Sequence, residues 1–112
     1  MAVRNARIPY EPPQYQDLSV IVRHNTPPNA VTLSSAQSAV PIYYSDRHIV
    51  RGIVTPELLR LAIPQARAAF PESPLFFAIQ DIPDIDRASF TETLKQFAPV
   101  AHQGDSTLYA IP

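Results

Sequence analysis

Ser35, His48 and Asp81 are the residue types of a nucleophile, a base and an orienting acid, and Ser35 falls where a strand is expected to turn into a helix. Its surroundings, Leu33-Ser34-Ser35-Ala36-Gln37, hold none of the glycines that give a nucleophile elbow its strained turn. The hydroxyl therefore reads as a helix cap, and no residue of the chain reads as catalytic. The acidic run Asp81-Ile82-Pro83-Asp84-Ile85-Asp86 offers oxygen ligands to a hard cation. It lacks the glycine and the closing glutamate of an EF-hand loop, so a solvated loop with one capping Asp is the simpler reading. His24, His48 and His102 lie far apart and none has an i, i+4 partner of ligand type, so no metal is expected. The glycine-rich phosphate loop of nucleotide-binding proteins is missing, and no cofactor is expected either.

What remains for a ligand is the crevice beyond the carboxyl ends of parallel strands. That edge is expected to hold Ser34, Ser35, Gln37, Ser38, Gly52 and Asp81, with Arg51 beyond. A helix starting at Ser38 would turn its N-terminus toward an anion. Asp46 and Arg47 read as a local ion pair decorating a strand edge.

The elements that would position these residues can be traced along the chain. Residues 1–14 carry Pro9, Pro12 and Pro13 without apolar periodicity and are expected to form an extended arm, leaving 15–112 as a single domain. Tyr15, Leu18, Ile21 and Val22 recur at helical spacing, with Arg23 and His24 closing the helix in accord with its dipole. Ala30 to Ser34 reads as an interior strand. A helix capped by Ser38, with Pro41 in its first turn and Tyr43 and Tyr44 at its end, follows it. His48 to Ile53 reads as a second strand. Thr55-Pro56-Glu57 supplies an N-cap, an N1 proline and an early acid for the next helix, and Pro64 is expected to kink or split it. Leu75 to Ile79 is a continuous apolar run, the mark of a strand covered on both faces. Asp86 or a neighbour then caps a helix whose Phe90, Leu94 and Phe97 face the core, and Pro99 ends it. Val100 to His102 and Thr107 to Ile111 flank Gln103-Gly104-Asp105-Ser106 as a hairpin. The expectation is an α/β fold: one small domain, a mostly parallel sheet of about five strands with flanking helices, and a C-terminal antiparallel hairpin.

Composition narrows the function classes. A chain of 112 residues with 46% hydrophobic content can bury one core, and its 13 prolines fall mostly at element boundaries, so they read as stiff turns and not as disorder. Cys 0 removes thiolate chemistry and disulfides while leaving the compartment open. The net charge of -1, with scattered arginines and the single Lys95, shows no basic stripe that would track phosphates, so nucleic acid is not an expected partner. No run is apolar enough for a spanning helix, and the first 13 residues hold no apolar core of signal-peptide length.

The series Thr26-Pro27-Pro28-Asn29-Ala30-Val31, Leu33-Ser34-Ser35, Ser38, Tyr43-Tyr44, Arg47 and Val50-Arg51 resembles the small C-terminal domain of a family of multi-spanning membrane glycosyltransferases. These include the protein O-mannosyltransferases and the lipid-A aminoarabinose transferases. Asn29 stands where such domains usually carry an acid, and the closing Leu108-Tyr109-Ala110-Ile111 is similar to the way such chains end. The resemblance covers most of the chain from Tyr15 onward. It implies a parent enzyme that uses a polyprenyl-phosphate-linked sugar, with its catalytic acid in a loop of the membrane region that has no counterpart here. The chain would then be a non-catalytic, extracytoplasmic accessory domain whose partner is the membrane-embedded part of the parent. Two other readings stand beside it. One is a stand-alone module holding a nucleotide or sugar phosphate in the strand-end crevice; the other is an interaction domain that forms a homodimer through a sheet edge or the tyrosine-bearing helix.

Overall fold

The computed structural model describes residues 13–37 and 45–112. The expected arm, Ser38 and the helix read over 38–44 therefore lie outside the described residues, apart from Pro13 and Gln14, which belong to the first helix. Helix α1 spans Pro13–Asn25 and leads through the Pro27-Pro28 turn into strand β1, Val31–Ser34. Strand β2 is His48–Val50, helix α2 is Pro56–Ala69 and strand β3 is Leu75–Gln80. A 3-10 turn at Arg87–Phe90 runs into the short helix α3, Thr91–Leu94, and the hairpin strands β4, Ala98–Gln103, and β5, Ser106–Ile111, complete the chain.

The five strands lie in the order β2-β1-β3-β5-β4. β1 pairs in parallel with β2 and with β3, while β5 pairs antiparallel with both β3 and β4. The sheet is therefore mixed, which corrects the expectation of a mostly parallel one. The reason is positional: β4 points the same way as β3, but the returning strand β5 inserts between them. One reversed strand in the interior makes two of the four pairings antiparallel. The C-terminal antiparallel hairpin is present as expected.

Strand alternation sorts the core into two layers. Val31, Leu33, Leu75, Phe77 and Ile79 point to one face, where they meet Leu59 and Ala66 of α2 together with Phe90 and Phe97. Ala78 and Leu108 point to the other face and meet Leu18, Ile21 and Val22 of α1. Phe77 and Phe90 are fully buried with ring centroids 5.5 Å apart, and burial of each ring is worth about 1.5–3 kcal/mol.

The start of α2 follows its sequence signal. Thr55 accepts a hydrogen bond from the Leu58 N–H at 3.2 Å, and Pro56 occupies the first turn. The expected split at Pro64 does not occur: α2 is one helix of 14 residues with Pro64 inside it. Pro64 lies on the exposed side, so the carbonyl that a proline cannot serve has water beside it, and the buried Leu59 and Ala66 anchor the helix on either side of it. The capped helix expected after the acidic loop is also different. Asp86 makes no side-chain cap, and a 3-10 turn precedes a single turn of α-helix. Pro99 does not end that helix; it lies within β4, on the sheet edge where a missing N–H is tolerated.

Candidate functional site

The carboxyl ends of β1, β2 and β3 gather most of the residues read from the sequence. Ser34 and Ser35 are buried there, at 0% and 1% exposure, and both hydroxyls serve the backbone. The Ser34 Oγ accepts the Ala36 N–H at 3.0 Å, closing a local turn. The Ser35 N–H donates to the Ala78 carbonyl while its Oγ accepts the Gln80 N–H, both at 3.0 Å, so this side chain extends the β1–β3 ladder past the end of β1. Neither serine presents its oxygen to solvent.

Gln37 and Arg51 are exposed at the same edge. The Arg51 Nη1 donates to the Gln37 carbonyl at 2.8 Å and thereby links the exits of β1 and β2. Beyond Val50 the chain stays tied to β1: the Gly52 N–H donates to the Ala36 carbonyl at 2.8 Å and the Ile53 N–H to the Ser34 carbonyl at 2.9 Å. Gly52 has φ +85, which a side chain would resist, although a Cβ there would meet nothing within 4 Å. Gln37, Arg51, Gly52 and Val54 line an open depression of about 390 Å³. Asp81 is exposed and stands apart from it. It follows β3, which is separated from β2 by β1, so the two strand ends are about 10 Å apart by ordinary strand spacing. Its N–H donates to the Asp105 carbonyl at 2.6 Å, fastening the end of β3 to the hairpin turn.

A Ser35–His48–Asp81 constellation does not form. His48 begins β2, paired with Val31 at the start of β1, and its ring packs on Phe70 with centroids 4.6 Å apart. It is thus at the opposite end of the strands from Ser35 and Asp81. Among the described residues no three His, Asp or Glu side chains converge in a metal-ligand arrangement, and no helix is long and apolar enough to cross a membrane.

Arg47 has a different place from the one read for it. Its Nη2 donates to the carbonyls of Arg23 at 3.0 Å and Thr26 at 3.1 Å, its Nε reaches the same Thr26 oxygen at 3.3 Å, and its Nη1 donates to the Asp46 carbonyl. Nearby, the Asn25 side chain donates to the Ile21 carbonyl at 2.8 Å and the Thr26 Oγ1 to the Val22 carbonyl at 2.7 Å. Arg47, Thr26 and Asn25 together serve the Ile21, Val22, Arg23 and Thr26 carbonyls at the end of α1. Asp46, at φ +56, makes the left-handed turn that aims Arg47 at them.

No protein-family model, curated protein or solved structure matches this chain. The geometry therefore speaks alone. It offers hydroxyls committed to the fold and one exposed guanidinium beside an open depression. The sequence reading passed over a second depression, where Arg87 and Tyr109 meet across 22 positions of chain. Its local signal was a basic residue opening the helix that follows the acidic loop.

Proposed function

We propose that this chain is a non-catalytic accessory domain of a multi-spanning membrane glycosyltransferase that acts on a polyprenyl-phosphate-linked sugar. The observation that carries the reading is that residues quoted for the resemblance act together physically. Thr26 and Arg47 form the clasp on α1, Leu33 and Ser34 lie on β1 with Ser35 just past its end, and Val50 closes the adjacent β2 with Arg51 just past it. Such a set maintains a scaffold, which is what an accessory domain requires of its recurring residues.

The direction of α1 agrees with that role. Asp17, early in α1, accepts a hydrogen bond from Gln103 beside the hairpin turn, while the end of α1 is held next to the starts of β1 and β2. The chain thus enters the domain at the edge where the parallel strands end. In a membrane enzyme this would turn Gln37, Arg51 and Asp81 toward the embedded part of the parent.

The test is made on the parent. With its upstream apolar segments, the protein transfers sugar from a polyprenyl-phosphate donor, and deletion of residues 13–112 lowers the rate. The isolated 112-residue chain turns over no substrate. The reading fails if the isolated chain shows a turnover that one side-chain replacement abolishes, or if the natural reading frame carries no spanning segments upstream.

A stand-alone phosphate-binding module is the second reading, favoured by Arg51 on the wall of the 390 Å³ depression. It requires saturable binding of a sugar nucleotide that Arg51→Ala removes.

A further inference from the structure

We infer that the depression between α3 and the C-terminal hairpin is a binding site for a small phosphorylated ring compound. It has a volume of about 450 Å³, within the usual range for small-molecule sites. Two cations border it, Arg87 and Lys95, and no Asp or Glu is among its lining residues. The Arg87 Nη2 donates to the Tyr109 hydroxyl at 3.1 Å, which fixes the guanidinium over the pocket and leaves the phenolic hydrogen to donate to an incoming oxygen. The Thr91 hydroxyl donates to the Ala88 carbonyl at 2.8 Å, so toward a ligand it acts as an acceptor.

The remaining wall is of a different kind. Phe97, Pro99 and the Tyr109 ring present apolar surface next to these polar groups. A free oxyanion would use the cations and leave that surface wet. A phosphate carried on a ring uses both, with oxygens on Arg87 and Lys95 and the ring face on Tyr109 and Pro99. Lys95 is paired with Glu92 at 2.7 Å, but both side chains are exposed, at 67% and 83%, so the ammonium is easily redirected. The pocket lies among residues well separated from the Arg51 depression, and the inference holds whatever larger protein the domain serves.

The ring is a sugar or an aryl group, and titration separates them. The uniformly labelled 112-residue chain is titrated at constant ionic strength with a hexose 1-phosphate, with phenyl phosphate and with inorganic phosphate, following the amide resonances of Ala88, Lys95 and Tyr109. One of the two ring phosphates is expected to saturate these shifts with a dissociation constant of about 1 mM or tighter, and inorganic phosphate to bind at least about fivefold more weakly. Arg87→Gln, at a half-buried position, and Lys95→Gln, at an exposed one, each weaken the ring phosphate by about fivefold or more, while Arg51→Gln leaves it unchanged. Spectral dispersion shows that each variant is folded, and Tyr109→Phe, which keeps the ring but removes the hydroxyl that holds Arg87, weakens the ring phosphate less than either cation variant. The inference is overturned if neither ring phosphate saturates, if inorganic phosphate binds as tightly as they do, or if the Arg87→Gln/Lys95→Gln double variant binds unchanged.

Discussion

Arg47 and Ser35 are the two polar side chains on which local order turns. Replacing Arg47 with alanine strips donors from the carbonyls of Arg23 and Thr26. The expected loss is about 1–3 kcal/mol, read as a lower urea midpoint, with Arg47→Lys recovering only part because an ammonium cannot reach both oxygens in one plane. Ser35→Ala leaves the buried Gln80 N–H without its acceptor and costs about 1–3 kcal/mol by the same measurement. Gly104 makes a third case. It has φ +56, and a Cβ built on it would collide with the Asp17 carboxylate. Gly104→Ala is expected to destabilise by more than about 1 kcal/mol, and Asp17→Ala in the same chain to recover the steric share but not the backbone share. These roles were only half legible in the sequence. Ser35 read as a helix cap because no glycine flanks it, whereas its hydroxyl accepts the Gln80 N–H. That it bonds to Gln80 across 45 positions was not readable, since no local pattern records which strand lies next to β1. Arg47 looked like the partner of Asp46 because adjacency in sequence suggests an ion pair; it does meet Asp46, but at the backbone carbonyl, and its other carbonyl partners are 21 and 24 positions away.

At the scale of elements, the strongest local chemistry was the most readable. Thr55, Pro56 and Glu57 fix the first turn of α2 by hydrogen bonding and by φ alone, without help from the rest of the fold. Thr55→Ala should lower the stability by about 1 kcal/mol in denaturant titration. Pro64 does not split the helix because proline penalties are reckoned for isolated helices, and packing of Leu59 and Ala66 against the sheet outweighs that penalty here. Removing the proline should then be favourable: Pro64→Ala is expected to raise stability by about 1–2 kcal/mol, and an unchanged or lowered midpoint would mean that the proline's rigidity in the unfolded chain dominates. The second strand was read too long because Ile53 is buried and apolar, but Gly52 at φ +85 takes the backbone out of the extended region before it. Pairing order was beyond reach for a related reason. A hairpin satisfies its own hydrogen bonds equally well with either strand inward, and the choice of β5 follows from fit: Leu108 is fully buried against α1, while β4 carries Ala98, Pro99 and Val100 exposed. Pro99 and the register shift beside it also blunt that outer edge as a template for another strand, which weakens the sheet-edge route to a homodimer.

For the molecule as a whole, both helical layers rest on one sheet, so the two cores share its strands. Far-ultraviolet dichroism and tyrosine fluorescence are therefore expected to report a single coincident transition in urea; separate transitions would show that the α1 layer melts by itself. The candidate site was legible as a location and not as a mechanism. The strand-end edge follows from any α/β alternation, yet which of its side chains face outward depends on bonds such as Ser34 to Ala36 that only the folded chain displays. The lie of α1 across β3, β5 and β4, antiparallel to β3, bears on mechanics. A pull on the chain ahead of Pro13 would load the helix at the end that rests on the hairpin, where an exposed 3.3 Å contact between Gln103 and Asp17 gives way early. The strain would reach the Arg47 clasp last, so the leading turns can peel and re-dock like a spring while the sheet beneath stays whole.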